Sequence, residues 1–304
     1  MALFNLENEK LNYIKEVPFK LEKEIQNLCE KNMQELLHCE FVKTEFVIEK
    51  FRLDSLCFDK STSSFVIIEY KKDKNFSVID QGYAYLSLML NHKSDFILEY
   101  NETTGKNLKR NDIDWTQSKV VFIAPSFTTY QREAIAFKDL PIELYEIKKY
   151  ANKTISFTQI ITKNATESIK TISKSNEKLE AVNKEIKVYT EQEKIEFGTQ
   201  AIQELYEKLK TMILNIGDDI SIKPTKLYIA FLRKTNFCDI NIQKNQIKIW
   251  LNSSKGNISD SKGILRDVSN IGHHGNGDYE ISIDSDSDIE YIVSLIRQSY
   301  NLCE

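Results

Sequence analysis

Proline and glycine are scarce in this chain, four and nine in 304 residues, and neither occurs between Pro141 and Gly198. That span therefore lacks the strongest local turn signals. No run of about 18 apolar residues exists, so no membrane-spanning helix is expected. The first residues lack the charged-then-apolar pattern of a secretory signal, which makes a cytoplasmic protein the expectation. Five scattered cysteines, none as Cys-x-x-Cys, argue against a disulfide framework and for free thiols in a reducing compartment. Two of the four histidines are adjacent, His273 and His274, and no second His or Cys cluster has ligand spacing, which disfavours a zinc site. Basic charge is also not in excess. The net charge of −4 excludes a strongly nonspecific polyanion binder but leaves room for a local basic groove.

What the chain does have is enough apolar residue content, 41%, for ordinary cores, and a length that fits two domains. Residues 51–58 and 64–71 are short runs rich in apolar, β-branched and aromatic side chains, separated by the turn-forming Asp59–Ser64. They are expected to form a β-hairpin. Alternation along the second strand puts Glu69 and Lys71 on one face, and an antiparallel partner sets Asp54 opposite its end. Two carboxylates and one ammonium at one point suit metal-dependent phosphodiester cleavage. The acids hold a hard divalent cation, Mg²⁺ or Mn²⁺, and the lysine orients or deprotonates water. Taken alone, each of these charges is more commonly a solvated surface group.

Neighbouring segments point the same way. Residues 78–91 have helical apolar spacing, and Gln81 and Tyr85 share one face. An apolar stripe from about residue 19 to 38 predicts an earlier helix, with Glu22 beside the stripe as a further metal ligand and Glu24 and Glu30 as its rivals. Strands are expected at 119–125 and 142–147, with a helix at 128–137 between them. Arg132 on that helix, Lys72 and Lys74 are candidate phosphate contacts.

This order of elements, with Arg-Leu-Asp ending at Asp54 and Ile-Glu-Tyr-Lys ending at Lys71, resembles the PD-(D/E)XK nuclease superfamily. Within it, the chain is most similar to the RecB-like branch of archaeal single-strand-directed and mismatch endonucleases. The resemblance covers roughly residues 15–150. It implies a restriction-endonuclease-like mixed sheet flanked by helices, catalytic roles for Asp54, Glu69, Lys71, Gln81 and Tyr85, and metal ligation by Asp54, Glu69 and Glu22. Leu53 stands where the superfamily has proline.

The remainder reads as a connector, 151–190, and a small α+β domain, 191–304. From Lys148 to Lys187 nine lysines face four glutamates, which suits either a solvated helical linker, with Ile155, Ile160, Ile169 and Ile172 in helical pieces, or a basic arm. A helix is expected over 195–216, strands over 227–232, 237–242, 246–251 and 279–284, and a closing helix over 288–300. The stretch Asn270–Asp278 holds three glycines and offers His273, His274 and Asp278 to a ligand. Residues 223–231, 236–237 and 271–278 resemble a small uncharacterised bacterial domain found fused to nuclease-like modules, which implies a targeting or sensing accessory. The sequence reading is thus a nuclease acting on nucleic acid, with DNA ahead of RNA, and a homodimer would serve a double-strand cut. The alternatives are a non-cleaving nucleic-acid-binding module, or a sensor of a ligand or protein acting through the C-terminal domain.

Overall fold

The computed structural model describes residues 2–73, 76–161, 167–169 and 177–303. Lys74 and Ile172 lie outside them. The chain divides into two compact units, Met1–Val188 and Tyr189–Glu304.

The first unit is built on a seven-stranded mixed sheet. Its elements are β1 (Phe4–Glu7), β2 (Lys10–Tyr13), β3 (Glu16–Val17), α1 (Glu22–Glu30), α2 (Met33–Leu37), β4 (Glu40–Ile48), β5 (Phe51–Asp59), β6 (Ser64–Tyr70), α3 (Val78–Asn91), α4 (Lys93–Thr104), β7 (Lys119–Ala124), α5 (Thr129–Ala134), β8 (Ile142–Tyr150), β9 (Ile155–Gln159) and α6 (Glu177–Glu185). The strand order is β3-β8-β7-β6-β5-β4, with β9 also paired to β8, and β1 and β2 form a separate hairpin. β4, β5 and β6 are antiparallel, whereas β6, β7 and β8 run parallel. Helical crossovers supply the long connections that parallel pairing demands.

Local chemistry sets the ends of these elements. Asp59 Oδ1 accepts from the backbone N and the hydroxyl of Ser61, tightening the turn between β5 and β6. Ser77 caps α3 by accepting from Asp80 N, and Thr128 with Gln131 forms a capping box on α5. Because β6 and β7 are covered on both faces, β6 is buried throughout and β7 from Val120 onward, rather than alternating. One face packs Leu53, Phe65, Ile67, Leu86 and Phe122 together with α3 and α4 residues, and the other packs Ile25, Cys29, Val66, Ile68 and Tyr70.

Three expectations change. The single helix over 19–38 is two, broken at Asn32, whose side-chain amide donates to Leu28 O and competes with continuation of the helix. Residues 155–159 are a strand rather than a helical piece, since pairing with β8 satisfies their backbone. The helix on which Arg132 sits is shorter than expected, ending at Ala134. Residues 177–185 are helical and bind back on the first unit, where Tyr83 OH donates to Asn183 Oδ1 at 2.8 Å.

The second unit contains α7 (Glu191–Ile195), α8 (Gln200–Leu214), β10 (Ser221–Pro224), β11 (Ile229–Leu232), β12 (Asn236–Ile242), β13 (Ile247–Leu251), β14 (Arg266–Asp267), β15 (Tyr279–Ile283) and α9 (Ile289–Asn301). Its six-stranded sheet has the order β10-β11-β12-β13-β15-β14, antiparallel throughout. Ile229, Phe231, Ile240, Ile249, Leu251 and Ile281 pack with Leu209 and Ile213 of α8 and Ile292 and Ile296 of α9. The expected helix over 195–216 is interrupted at Gly198, where a Cβ would press on Ile202 and Ile242. The fold is therefore mixed α/β with a central mixed sheet flanked by helices, followed by an antiparallel α+β unit. Among the described residues, no helix is long and apolar enough to cross a membrane.

Candidate active site

The carboxyl end of β6 lies where its antiparallel partner β5 meets its parallel partner β7. Positions beyond strand carboxyl ends are where open α/β sheets place ligand-binding groups. Register pairs Ser55 with Ile68, so one further step brings Asp54 beside Glu69. The ladder stops there because Tyr70 N donates to Asp54 Oδ2 at 3.1 Å instead of to a backbone oxygen.

Glu69 is 4% exposed. Its Oε1 accepts from Lys71 Nζ at 2.7 Å and from Gln81 Nε2 at 2.8 Å. Its Oε2 is buried and has no hydrogen-bond partner. Gln81 Nε2 also reaches Tyr85 OH at 2.9 Å, so one turn of α3 lies over the acid as its i,i+4 spacing predicts. Gly82 permits this approach, since a Cβ there would meet Ile142 Cδ1 at 2.5 Å. Lys71 Nζ lies 5.7 Å from the centre of the Phe76 ring, and its backbone N donates to Ile123 O. Glu22, exposed at the start of α1, accepts from Lys72 N at 2.9 Å and so stands at the same strand end.

Burial raises the pKa of Asp54, and the nearby Glu22 charge adds to this against the opposing Tyr70 N–H and Lys71. Burial likewise raises Glu69, with Asp54 repulsion adding to it while Lys71 and Tyr85 pull it down. Tyr85 is pushed up by burial and by the Glu69 charge. These are the signs expected where negative charge is gathered with too little positive charge to balance it.

The structure thus brings Glu22, Asp54, Glu69, Lys71, Gln81 and Tyr85 to one strand end. The rivals to Glu22 are engaged elsewhere. Glu24 pairs with Lys149, and Glu30 accepts from Gln26 and Ser55. Arg132 pairs with Glu146 and donates to Phe127 O, which occupies the group proposed for phosphate. Lys72 is exposed. Among the described residues, no three His, Cys, Asp or Glu side chains group in a way that could hold a metal ion. The site therefore offers two convergent carboxylates, with Glu22 at its margin.

Sequence reasoning missed the support behind Asp54. Gln26 is 5% exposed, and its Nε2 donates to Asp54 O at 2.9 Å, to Thr44 Oγ1 and to Glu30 Oε1. Ser55 Oγ donates to Glu30 at 2.7 Å and lies 3.1 Å from Tyr70 OH. The available signal was an amide in a buried stripe between Ile25 and Cys29, since buried polar groups are there to be bonded.

In the second unit, His273 stacks near Trp250, with ring centres 6.3 Å apart. His274 is exposed. Asp278 has a backbone role, its Oδ2 accepting from Lys255 N and its N donating to Ser253 O. Sequence reasoning also missed Asp239, which is completely buried and accepts from Asn236 Nδ2 and from both nitrogens of Asn276. Burial raises its pKa to about 6.

Set beside known proteins, residues 163–303 match a family described as a domain of unknown function, DUF5655. The chain is 48% identical over 299 residues to an uncharacterized protein of Haemophilus influenzae, covering 98% of this chain and 99% of that one. It belongs to the same family as that protein. Solved structures with partial likeness include a repair endonuclease from Pyrococcus abyssi, at 19% identity, covering 43% of this chain and 49% of that one, with a TM-score of 0.25. Another is the complex of EndoMS with double-stranded DNA, at 18% identity, 43% and 47% coverage and a TM-score of 0.24. A third is SfsA of Pyrococcus furiosus with Ca²⁺, at 14% identity, 52% and 68% coverage and a TM-score of 0.24. The chain spans about half the length of the first two.

Proposed function

We propose that the first unit is a metal-dependent nuclease that hydrolyses phosphodiester bonds of nucleic acid, with DNA the preferred substrate. The observation that carries this reading is the state of Glu69. It is a buried carboxylate with one oxygen held by Lys71 and Gln81, the other without a partner, and a second carboxylate, Asp54, alongside. A structural ion pair would leave neither an orphaned oxygen nor an unbalanced acid.

The donor set fits a hard divalent cation. Mg²⁺ keeps several waters and commonly takes one or two protein carboxylates, so two convergent acids suffice where three do not group. Asp54 and Glu69 would hold the ion, with Glu22 reaching it from α1. When bound, such an ion polarises a phosphoryl oxygen and makes water more acidic. The chain's own residues do the rest. Lys71 supplies an ammonium at the attacking water and offsets charge on the phosphate. Gln81 and Tyr85 fix the Glu69 carboxylate, and Lys72 meets the nucleic-acid backbone.

The test is calorimetric titration of Mn²⁺ into the unsubstituted chain and into Asp54→Ala, followed by cleavage assays across DNA and RNA forms. Binding and cleavage that both disappear in the folded variant are expected. Equal cleavage by Asp54→Ala and Lys71→Ala would refute the assignment.

A further inference from the structure

Two strands of the first unit stand outside its main sheet. β1 and β2 form a hairpin of their own. It is anchored at its base, where Lys15 O accepts from Ala151 N and β3 pairs with β8. Asn8 and Glu9 make its turn with φ of +49° and +63°, the left-handed pair that a two-residue type I′ turn needs. Phe4 pairs with Tyr13 and Leu6 with Leu11, while Asn5 pairs with Asn12 and Glu7 with Lys10. Direct partners share a face and alternate residues change face. One face of the hairpin is therefore apolar but for the Tyr13 hydroxyl, and the other is polar.

The polar face is satisfied within itself, since Asn5 Nδ2 and Asn12 Nδ2 both donate to the Glu7 carboxylate. The apolar face is uncovered. Every residue of both strands is exposed, with Phe4 at 49%, Leu6 at 67%, Leu11 at 66% and Tyr13 at 63%. The Phe4 and Tyr13 rings meet edge to face, with centres 5.8 Å apart. An isolated two-stranded hairpin is marginal in water and gains stability when a face is packed. A contiguous apolar patch with a polar rim is the mark of an interaction surface, unlike a single exposed leucine.

We propose that this face joins two copies of the chain, hairpin against hairpin. Three features select a second copy over another partner. The face carries no charge, so it offers nothing to a phosphate backbone or a charged peptide, and its complement must be equally apolar. It is also self-complementary, with an aromatic pair at one end and a leucine pair at the other. A two-fold axis lying in the contact plane and across the strands sets the leucines of each hairpin on the rings of the other, as an isologous interface requires. The third feature is area. At roughly 200 Å² for an aromatic side chain and slightly less for a leucine, the four exposures amount to about 500 Å² per copy. Two copies then bury about 1,000 Å², the lower limit for a specific interface. An interface of that size gives a dimer in exchange with its monomer.

The experiment is sedimentation velocity of the full chain from about 1 to 200 µM. The mass should rise from one chain to two. Leu6→Asp and Leu11→Asp should each raise the dissociation constant at least about a hundredfold, and Lys10→Gln, on the polar face, should leave it unchanged. Both leucines stand outside the cores of the unit, so the variants should keep the fold. A second measurement guards against a hairpin that merely unravels. Leu11→Cys should be linked into a dimer by a bismaleimide of about 10 Å, the spacing of sheets packed face to face, whereas Lys10→Cys should not. The five native cysteines are buried and leave this readout clear. Neither measurement involves cleavage or a metal, so the outcome is separate from that of the nuclease assignment. One chain mass at every concentration, a dimer that survives both leucine substitutions, or equal linking of Lys10→Cys and Leu11→Cys would overturn the proposal.

Discussion

The buried carboxyl of Asp239 should make the second unit gain stability as the solution is acidified. Its pKa rises from the ordinary 3.8 to about 6, because burial outweighs the hydrogen bonds from Asn236, Asn276 and Asn252. The sign follows from linkage. Below pH 3.8 both the folded and unfolded forms are protonated. Between the two values the unfolded chain loses its proton and the folded chain keeps it, so stability falls as pH rises. Above about pH 6 both are ionised and the full cost is present. At ~1.4 kcal/mol per pH unit of difference, the cost at neutrality is about 3 kcal/mol. The assay is urea unfolding from about pH 4.5 to 7, followed by fluorescence of Trp250 in a Trp115→Phe background. Asp239→Asn serves as the control. Asparagine cannot titrate, although one of its two flips always faces a donor, so its absolute stability will differ. What matters is the difference between the two pH profiles. The unsubstituted chain should lose about 2 kcal/mol relative to Asp239→Asn across that interval, since the part of the cost that develops below pH 4.5 falls outside it. Parallel profiles would show that Asp239 is ionised throughout and that the burial argument is wrong.

Other consequences are simpler to measure. Glu69→Gln keeps an acceptor for Lys71 and Gln81 but removes a charge repelled by Asp54; it should stabilise the fold by about 1 kcal/mol in thermal unfolding while abolishing Mn²⁺ binding. Lys71→Ala should retain cation binding and lose cleavage, a split that calorimetry and nuclease assays on one preparation will show. Gly277→Ala sets a Cβ inside contact distance of the Leu251 carbonyl at a φ of +81°, and should cost about 3 kcal/mol in urea titration. Gln26→Ala, which leaves Glu30 with Ser55 alone as donor and frees the Asp54 carbonyl, should cost about 2 kcal/mol by the same method.

Much of the first unit's site was legible because its residues lie close in sequence and obey short periods. The β5–β6 turn, alternation along Glu69-Tyr70-Lys71, and the i,i+4 step from Gln81 to Tyr85 each follow from local geometry. What was not legible depends on partners far along the chain. Asn32 breaks a helix whose apolar stripe continues across it, and the stripe records burial rather than continuity. Residues 155–159 form a strand because β8 has a free edge, which their own spacing does not reveal. Arg132 looked available for phosphate until Glu146, on β8, was placed beside it.

Glu69 and Asp239 show why a perturbed acid is not by itself the mark of an active site. Burial raises both. Asp239 nevertheless receives amide donors on both oxygens, so the group is expensive when ionised but geometrically complete. Glu69 has one oxygen complete and the other bare, with a second acid close by and only Lys71 to balance them. On the proposed function a divalent cation would complete the second pattern, whereas the first is complete without one. In the C-terminal unit the incomplete atoms are instead the oxygens of Asn236 and Asn252, which are neutral and so call for donors rather than for charge.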